Sequence, residues 1–263
     1  MRVKIKFAGE IILPIYYNYL LSSVVYNIFS EPISNFLHKT GFVKDNRHYK
    51  LFTFSKPSKG NLVEGKRLEY LKNKLKIENK KFTVKDRERA IYFSNGFYIQ
   101  FSSPINFIYN DFSLNSIKRK EINIIGQRTF ISEVSVVKPP TFKKEMILKT
   151  ISPIVVYYSS MHSSRHNYIM PGKNGLIKFN EYINKNLQRK YKIINQQSIT
   201  DLNKKIELYP VYWKKNVTYY KGGRIEGSEG QFIIKGDPEL IQLSYDAGLG
   251  VKNSSGFGMW EAM

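Results

Sequence analysis

Between residues 2 and 8 apolar and basic positions alternate, Val3, Ile5 and Phe7 against Arg2, Lys4 and Lys6, which is the period-two pattern of a half-buried strand. A helix is expected next, with Pro14 in its first turn and Tyr17, Leu20, Leu21, Val24, Val25 and Ile28 recurring at helical spacing along one face. A second short helix is predicted from Pro32 to about Lys39, capped by Ser30 and ended by Gly41, and residues 50–55 read as a strand. The lysine-rich and turn-rich stretch 56–88 predicts an inserted surface excursion with at most one short helix near 67–75. Arg89–Phe93 and Phe97–Ser102 flank a Ser-Asn-Gly turn and predict a hairpin. A helix over 104–117 and a strand over 129–137 complete a β-α-β-β-α-β order, the ferredoxin-like arrangement.

Pro139-Pro140 breaks the chain and marks the expected boundary between domains at 1–138 and 139–263. The second half repeats the scheme in pattern, without a direct sequence repeat. It reads as a strand through 147–158, an exposed basic loop to Gly175, a helix over 178–193 and a strand over 205–213. A hairpin from Lys221-Gly222-Gly223 to Gly230, a helix capped by Asp237 ahead of Pro238 and Glu239, and a terminal strand follow. The fold class expected is α+β, as two tandem ferredoxin-like (RRM-like) domains.

Composition narrows the partner. In 263 residues Lys and Arg number 42 against 21 Asp and Glu, a net charge of +21 with a pI of about 9.8, which favours a polyanion over a neutral small substrate. The 19 Tyr, 17 Phe and 2 Trp suit stacking on unpaired RNA bases, although most aromatic residues belong to a core. The absence of cysteine excludes disulfides and thiolate metal sites. The apolar stretch from Ile11 to Phe29 is interrupted by Pro14, Asn18, Asn27, two serines and four tyrosines, so no membrane anchor is expected and a soluble cytoplasmic protein is inferred. His162 and His166 have a spacing that would ligate metal on a helix, but their Ser- and Gly-containing surroundings argue for an RNA-facing loop, and no metal or cofactor is expected.

Two regions carry candidate chemistry. Tyr26 falls opposite the apolar stripe of its helix, beside Tyr19, Ser22 and Ser23, so its hydroxyl is expected outside the core. His38 falls off the Ile33, Phe36 and Leu37 face, and Lys50 opens the next strand. At the C-terminus, Gly248-Leu249-Gly250 and Gly256-Phe257-Gly258 flank a short polar loop containing Lys252, Asn253 and Ser254. Such glycines let backbone N–H groups approach phosphate, and Gly248 also reads as a helix C-cap; the two readings are compatible. Gly248, Gly250, Lys252, Asn253, Ser254, Gly256 and Gly258 are the candidates for RNA contact.

The glycine signature resembles that of the CRISPR-associated endoribonucleases that cut precursor CRISPR RNA within its repeats, a branch of the repeat-associated RNA-binding superfamily. Val25-Tyr26-Asn27, Phe36-Leu37-His38, Tyr49-Lys50-Leu51-Phe52-Thr53-Phe54-Ser55 and Ser152-Pro153-Ile154 are similar to motifs of that family. The resemblance implies two tandem ferredoxin-like folds and metal-independent cleavage by the upstream 2′-hydroxyl, leaving a 2′,3′-cyclic phosphate and a 5′-hydroxyl. It implies Tyr26, His38 and Lys50 as the catalytic residues. Whether His38 or Tyr26 is the base stays open, as does delivery of His48 in place of His38. Partners implied are CRISPR repeat RNA and precursor CRISPR RNA, with other subunits of a CRISPR effector complex as further candidates. The alternative is a non-catalytic repeat-RNA-binding subunit of an RNA-guided complex.

Overall fold

A computed structural model describes residues 1–77, 89–119, 121–159, 166–195 and 204–263. The first half runs β1 (Arg2–Phe7), β2 (Ile11–Pro14), α1 (Asn18–Ile28), α2 (Glu31–Lys39), β3 (Phe42–Lys44), β4 (Arg47–Tyr49), β5 (Thr53–Phe54), β6 (Asn61–Glu64) and α3 (Gly65–Lys74). It continues with β7 (Arg89–Phe93), β8 (Phe97–Ser102), α4 (Asn106–Lys118), β9 (Ile122–Ile124), β10 (Gln127–Thr129) and β11 (Ile131–Val137). The second half comprises β12 (Glu145–Thr150), β13 (Tyr157–Ser159), β14 (His166–Tyr168), α5 (Leu176–Asn195), β15 (Ile206–Tyr220), β16 (Gly223–Gly236), α6 (Pro238–Ala247) and β17 (Trp260–Ala262).

Two four-stranded antiparallel sheets organise the chain, in the orders β11-β1-β8-β5 and β15-β16-β12-β17. Counting each sheet's strands along the chain, both have the order 4-1-3-2, the second read from its far edge, so the two halves share the ferredoxin-like topology. Each sheet buries its inward side chains under its own helices. Val3, Ile5 and Phe7 of β1 meet Leu21, Val25 and Ile28 of α1 and Phe112 of α4, whose ring stacks on Phe101 at 3.8 Å between centroids. Leu148, Phe232 and Ile234 of the second sheet meet Phe179, Ile183 and Leu187 of α5 and Leu240 and Ile241 of α6. The Asp237 side chain caps α6, accepting from the Glu239 and Leu240 amides.

Four local expectations are corrected. Pro14 does not open α1; it ends β2, an edge strand of a three-stranded sheet β2-β7-β6, where a residue without an N–H costs no ladder bond. β7 and β8 do not form a hairpin. Phe93 and Phe97 stay together, with ring centroids 5.0 Å apart, but β7 pairs with β2 and β6 while β8 pairs with β1 and β5. Gly96 between them has φ +69 and lies so close to the Phe7 carbonyl that a Cβ would sit 1.7 Å from its oxygen, so the turn packs onto β1 and sends the chain across. Third, the described part of the 56–88 stretch is not a mere surface excursion: Val63, Leu68, Leu71 and Ile77 bury a small core with Ile12, Ala90 and Tyr92; residues 78–88 lie outside the described residues. Last, the strand expected through 147–158 is two strands, β12 and β13, because the chain breaks at Ser152-Pro153.

Candidate active site

The glycine-rich C-terminal segment lies in the joint between the two halves. Asn18, Ser22 and Tyr26 are spaced four apart on α1, so they share one face, and that face meets the segment. Asn18 Nδ2 donates to the Ser255 carbonyl (3.2 Å), and Ser22 Oγ to the Ser254 carbonyl (3.2 Å). The Tyr26 hydroxyl faces the Ser254 side chain. From β5, Thr53 Oγ1 donates to the Phe257 carbonyl at 3.0 Å. On the other side the Gly258 amide donates to the Pro153 carbonyl (2.8 Å) and Met259 N–H to Ser152 Oγ (2.9 Å). The motifs around residues 26, 53 and 153 therefore converge on one loop.

Gly248, Gly250, Gly256 and Gly258 are buried in this joint. Gly248 is the C-cap of α6 with φ +79, as its sequence context predicts. Gly258 has φ +80, and a Cβ there would lie 2.0 Å from the Leu249 carbonyl oxygen, to which the two glycine units owe their close approach. The Gly256 and Gly258 amides are donated to carbonyls within the chain. Asn253 is buried as well, whereas Lys252 and Ser254 are partly exposed.

Tyr26, His38 and Lys50 come together from α1, the last turn of α2 and the segment before β5. The Tyr26 and His38 ring centroids are 4.1 Å apart with planes inclined by 32°, and Lys50 Nζ lies 3.5 Å from the His38 carbonyl oxygen. His38 is exposed, as expected from its place off the apolar face. Tyr26 is not: it is only 9% exposed, packed against Phe29 and Phe52. Its helix is sandwiched between its own sheet and the loop of the second half, so the side opposite the apolar stripe is also covered. Ser22 is buried for the same reason, and its hydroxyl lies 3.3 Å from that of Tyr220. Burial pushes the Tyr26 phenol up to about 12, with the Ser254 side chain opposing. Lys50 does not open a strand; Leu51 beside it has φ +52, which turns the chain before β5 and leaves Lys50 half-buried, its ammonium lowered by desolvation. His48, on β4, donates from Nδ1 to the Thr40 carbonyl at 2.7 Å.

Lys50 and Ser254 also line a cleft of about 720 Å³ between the halves. Arg47, His48, Lys185, Arg189 and Lys252 add basic groups to its walls, Tyr49, Tyr157, Tyr158 and Tyr182 add aromatic ones, and the lining contains no carboxylate. Asp45, in the turn between β3 and β4, reaches Arg189 at 3.6 Å and ties this hairpin to α5. His166 opens β14, a strand and not a helix, and stacks on Tyr157 at 3.9 Å; His162 lies outside the described residues. Among the described residues no group of His, Asp or Glu is arranged to hold a metal, and no helix is long and apolar enough to cross a membrane. Sequence reasoning did not single out Arg47, Arg189, Asn18 or Lys190. The signal for Asn18 was its four-residue spacing from Ser22 and Tyr26, and for Lys190 its place on the apolar stripe of α5 after Phe179, Ile183 and Leu187.

Comparison with known proteins agrees with this architecture. Residues 137–262 match the family model of the C-terminal part of CRISPR associated protein Cas6. A stretch of 170 residues is 31% identical to the CRISPR-associated endoribonuclease Cas6 1 of Methanocaldococcus jannaschii, spanning 62% of this chain and 62% of that protein. A solved structure described as CRISPR associated protein Cas6 superimposes with a TM-score of 0.73 at 23% identity, over 100% of this chain and 99% of that one. The product of a Cas6-related gene from Pyrococcus furiosus does so with a TM-score of 0.75 at 20% identity, over 100% and 98%. Over its second half this chain is similar to the CRISPR-associated Cas6 family, and over its whole length it has the tandem ferredoxin-like fold of those solved structures.

Proposed function

We propose that the protein is a metal-independent endoribonuclease that binds CRISPR repeat RNA and cleaves precursor CRISPR RNA. The observation that carries this reading is the meeting of Tyr26, His38 and Lys50, from three separate elements, with Lys50 lining a cleft whose titratable side chains are basic or phenolic. Phosphate neutralisation by such walls supplies affinity, and the tyrosines offer faces for unpaired bases.

In the proposed reaction the 2′-oxygen bonds to phosphorus while its proton passes to His38, the P–O5′ bond breaks, and the 5′-oxygen takes up a proton. A histidine can change charge near neutral pH, and such a proton transfer contributes roughly 10²- to 10⁴-fold. The Tyr26 phenol, held protonated up to about 12, is a poor base at neutral pH and a ready hydrogen-bond donor. This favours His38 as the base. Lys50 supplies positive charge for the phosphorane and, because burial makes its ammonium more acidic, a proton for the leaving 5′-oxygen.

The test is incubation in EDTA with repeat RNA, and with the same RNA carrying one 2′-deoxy nucleotide at the mapped cut. Cleavage of the first alone, with a cyclic phosphate end, is expected. His38→Ala is expected to abolish that cleavage while repeat binding changes less than about threefold, since one histidine adds little to a contact dominated by phosphates. Tight binding with no cleavage of either RNA by the unaltered protein would establish the non-catalytic reading instead.

A further inference from the structure

On α5 the residues Phe179, Ile183 and Leu187 are fully buried, and Lys190 continues their row, itself only 3% exposed. An ammonium thus stands where an apolar side chain would be expected. Its Nζ faces four oxygens: the carbonyls of Ala247 (3.2 Å), Gly248 (2.8 Å) and Gly250 (3.4 Å), and Asn253 Oδ1 (2.7 Å). The Ala247 and Gly248 carbonyls end α6, where the helix dipole is negative. Burial draws Lys190 down to about 7, while hydrogen bonds to these oxygens favour its charged form.

The contact with Lys190 orients the Asn253 amide. With Oδ1 on the ammonium, Nδ2 is left to donate to the Leu249 and Phe257 carbonyls, both at 3.0 Å, which joins the two glycine units across the loop. Ser254, the next residue, accepts from Ser22 Oγ of α1 at its carbonyl (3.2 Å) and faces Tyr26, one turn further along the same helix, with its side chain. A buried charge is a weak source of stability, since well-packed apolar residues often replace one without loss. Its distinctive effect is to require one arrangement of the oxygens around it.

We propose that Lys190 is a positioning residue of the candidate site: by gathering the Gly248 and Gly250 carbonyls and the Asn253 amide, it holds the loop in the shape that sets Ser254 against Tyr26. Lys190 lies at the floor of the cleft, but at 3% exposure it acts through Asn253 and Ser254 and not by contact with RNA. Its effect on cleavage rests on the endoribonuclease reading; its effect on the loop does not.

The experiment uses full-length protein labelled with 3-fluorotyrosine, the Tyr26 resonance being assigned by its loss in Tyr26→Phe. In Lys190→Met that resonance is expected to move, as it does in Ser254→Ala, and the double variant is expected to add nothing further. Single-turnover cleavage at saturating repeat RNA should fall by about tenfold or more, because small misplacements of reacting groups are costly. The Kd for repeat RNA should change by less than about threefold, and the two substitutions should be non-additive in rate. Lys190→Arg, which keeps charge and donors, should recover part of the rate. Where Lys190→Met does not fold, Asn253→Ala severs the same link one residue along and is read in the same way. An unmoved Tyr26 resonance in a folded variant, or rate losses that multiply in the cycle, would overturn the proposal. If the unaltered protein binds but does not cut, the endoribonuclease reading fails and the fluorine signal alone decides the role of Lys190.

Discussion

Tyr26 keeps its phenol in a place where water is scarce, its ring among Phe29, Phe52 and His38 and its hydroxyl facing Ser254. Burial opposes the phenolate, so the folded-state pKa of about 12 stands above the ordinary value of 10.0. Between these two values the folded protein binds a proton that the unfolded chain has lost, and stability must fall as pH rises through that window. The stabilisation is fully present below about pH 10 and amounts to roughly 2–3 kcal/mol, at about 1.4 kcal/mol per pH unit. Tyr26→Phe is therefore expected to lose less stability than the unaltered protein between pH 10 and pH 12, as measured by denaturant unfolding at each pH. Equal losses in both would mean that the phenol is solvated. The candidate triad itself was legible: helical periodicity and family-like motifs single out Tyr26, His38 and Lys50. The burial of Tyr26 was not, because the residue that covers its hydroxyl, Ser254, comes from the far end of the chain and no local pattern couples the two.

At the scale of elements, the four glycines around the loop trade conformational freedom for a close approach of backbone segments. Gly256 has φ +83, and a Cβ there would lie 2.6 Å from Phe54 Cε2, a ring wholly inside the first core. Gly9 has φ +88 but open space around the same position, so it isolates the strain of the left-handed backbone from the clash. Gly9→Ala should cost about 1 kcal/mol and Gly256→Ala at least about 2 kcal/mol, the excess measuring the overpacking of the joint. Thermal unfolding of the two variants checks this, and equal midpoints would show that the joint yields. The elements along the chain were mostly legible from periodicity, α1, α2, α4 and α5 among them. Their partners were less so: a Ser-Asn-Gly turn between two apolar runs signals a hairpin, yet Gly96 is used to pack on Phe7 and the two strands part into different sheets. Pairing is decided by which core each strand completes, and that information is not local.

The whole molecule adds the location of charge. A net charge of +21 is legible in composition, but composition does not say which face carries it. Folding sets Arg47, Lys185, Arg189 and Lys252 around one cleft without a carboxylate in its lining, while Lys4 and Lys6 lie over the Tyr98 ring on the first sheet and Lys56 pairs with Glu229. If the cleft is the RNA path, each cation that meets a phosphate there releases condensed counterions, and the logarithm of the binding constant falls against that of salt concentration by about 0.7 per contact on single-stranded RNA. Arg47→Ala combined with Lys252→Asn should then shallow that slope by about 1.4, the asparagine being chosen because position 252 has φ +61, a left-handed backbone that asparagine tolerates. Lys4→Ala combined with Lys6→Ala removes the same number of charges from the sheet face and should leave the slope within about 0.3 of the original, since salt screens distant charges. Binding of repeat RNA by the three proteins over a salt series separates local contact from overall charge. Equal shallowing by both pairs would mean that the RNA reads the summed field of the protein and that the cleft has no privileged place in holding it.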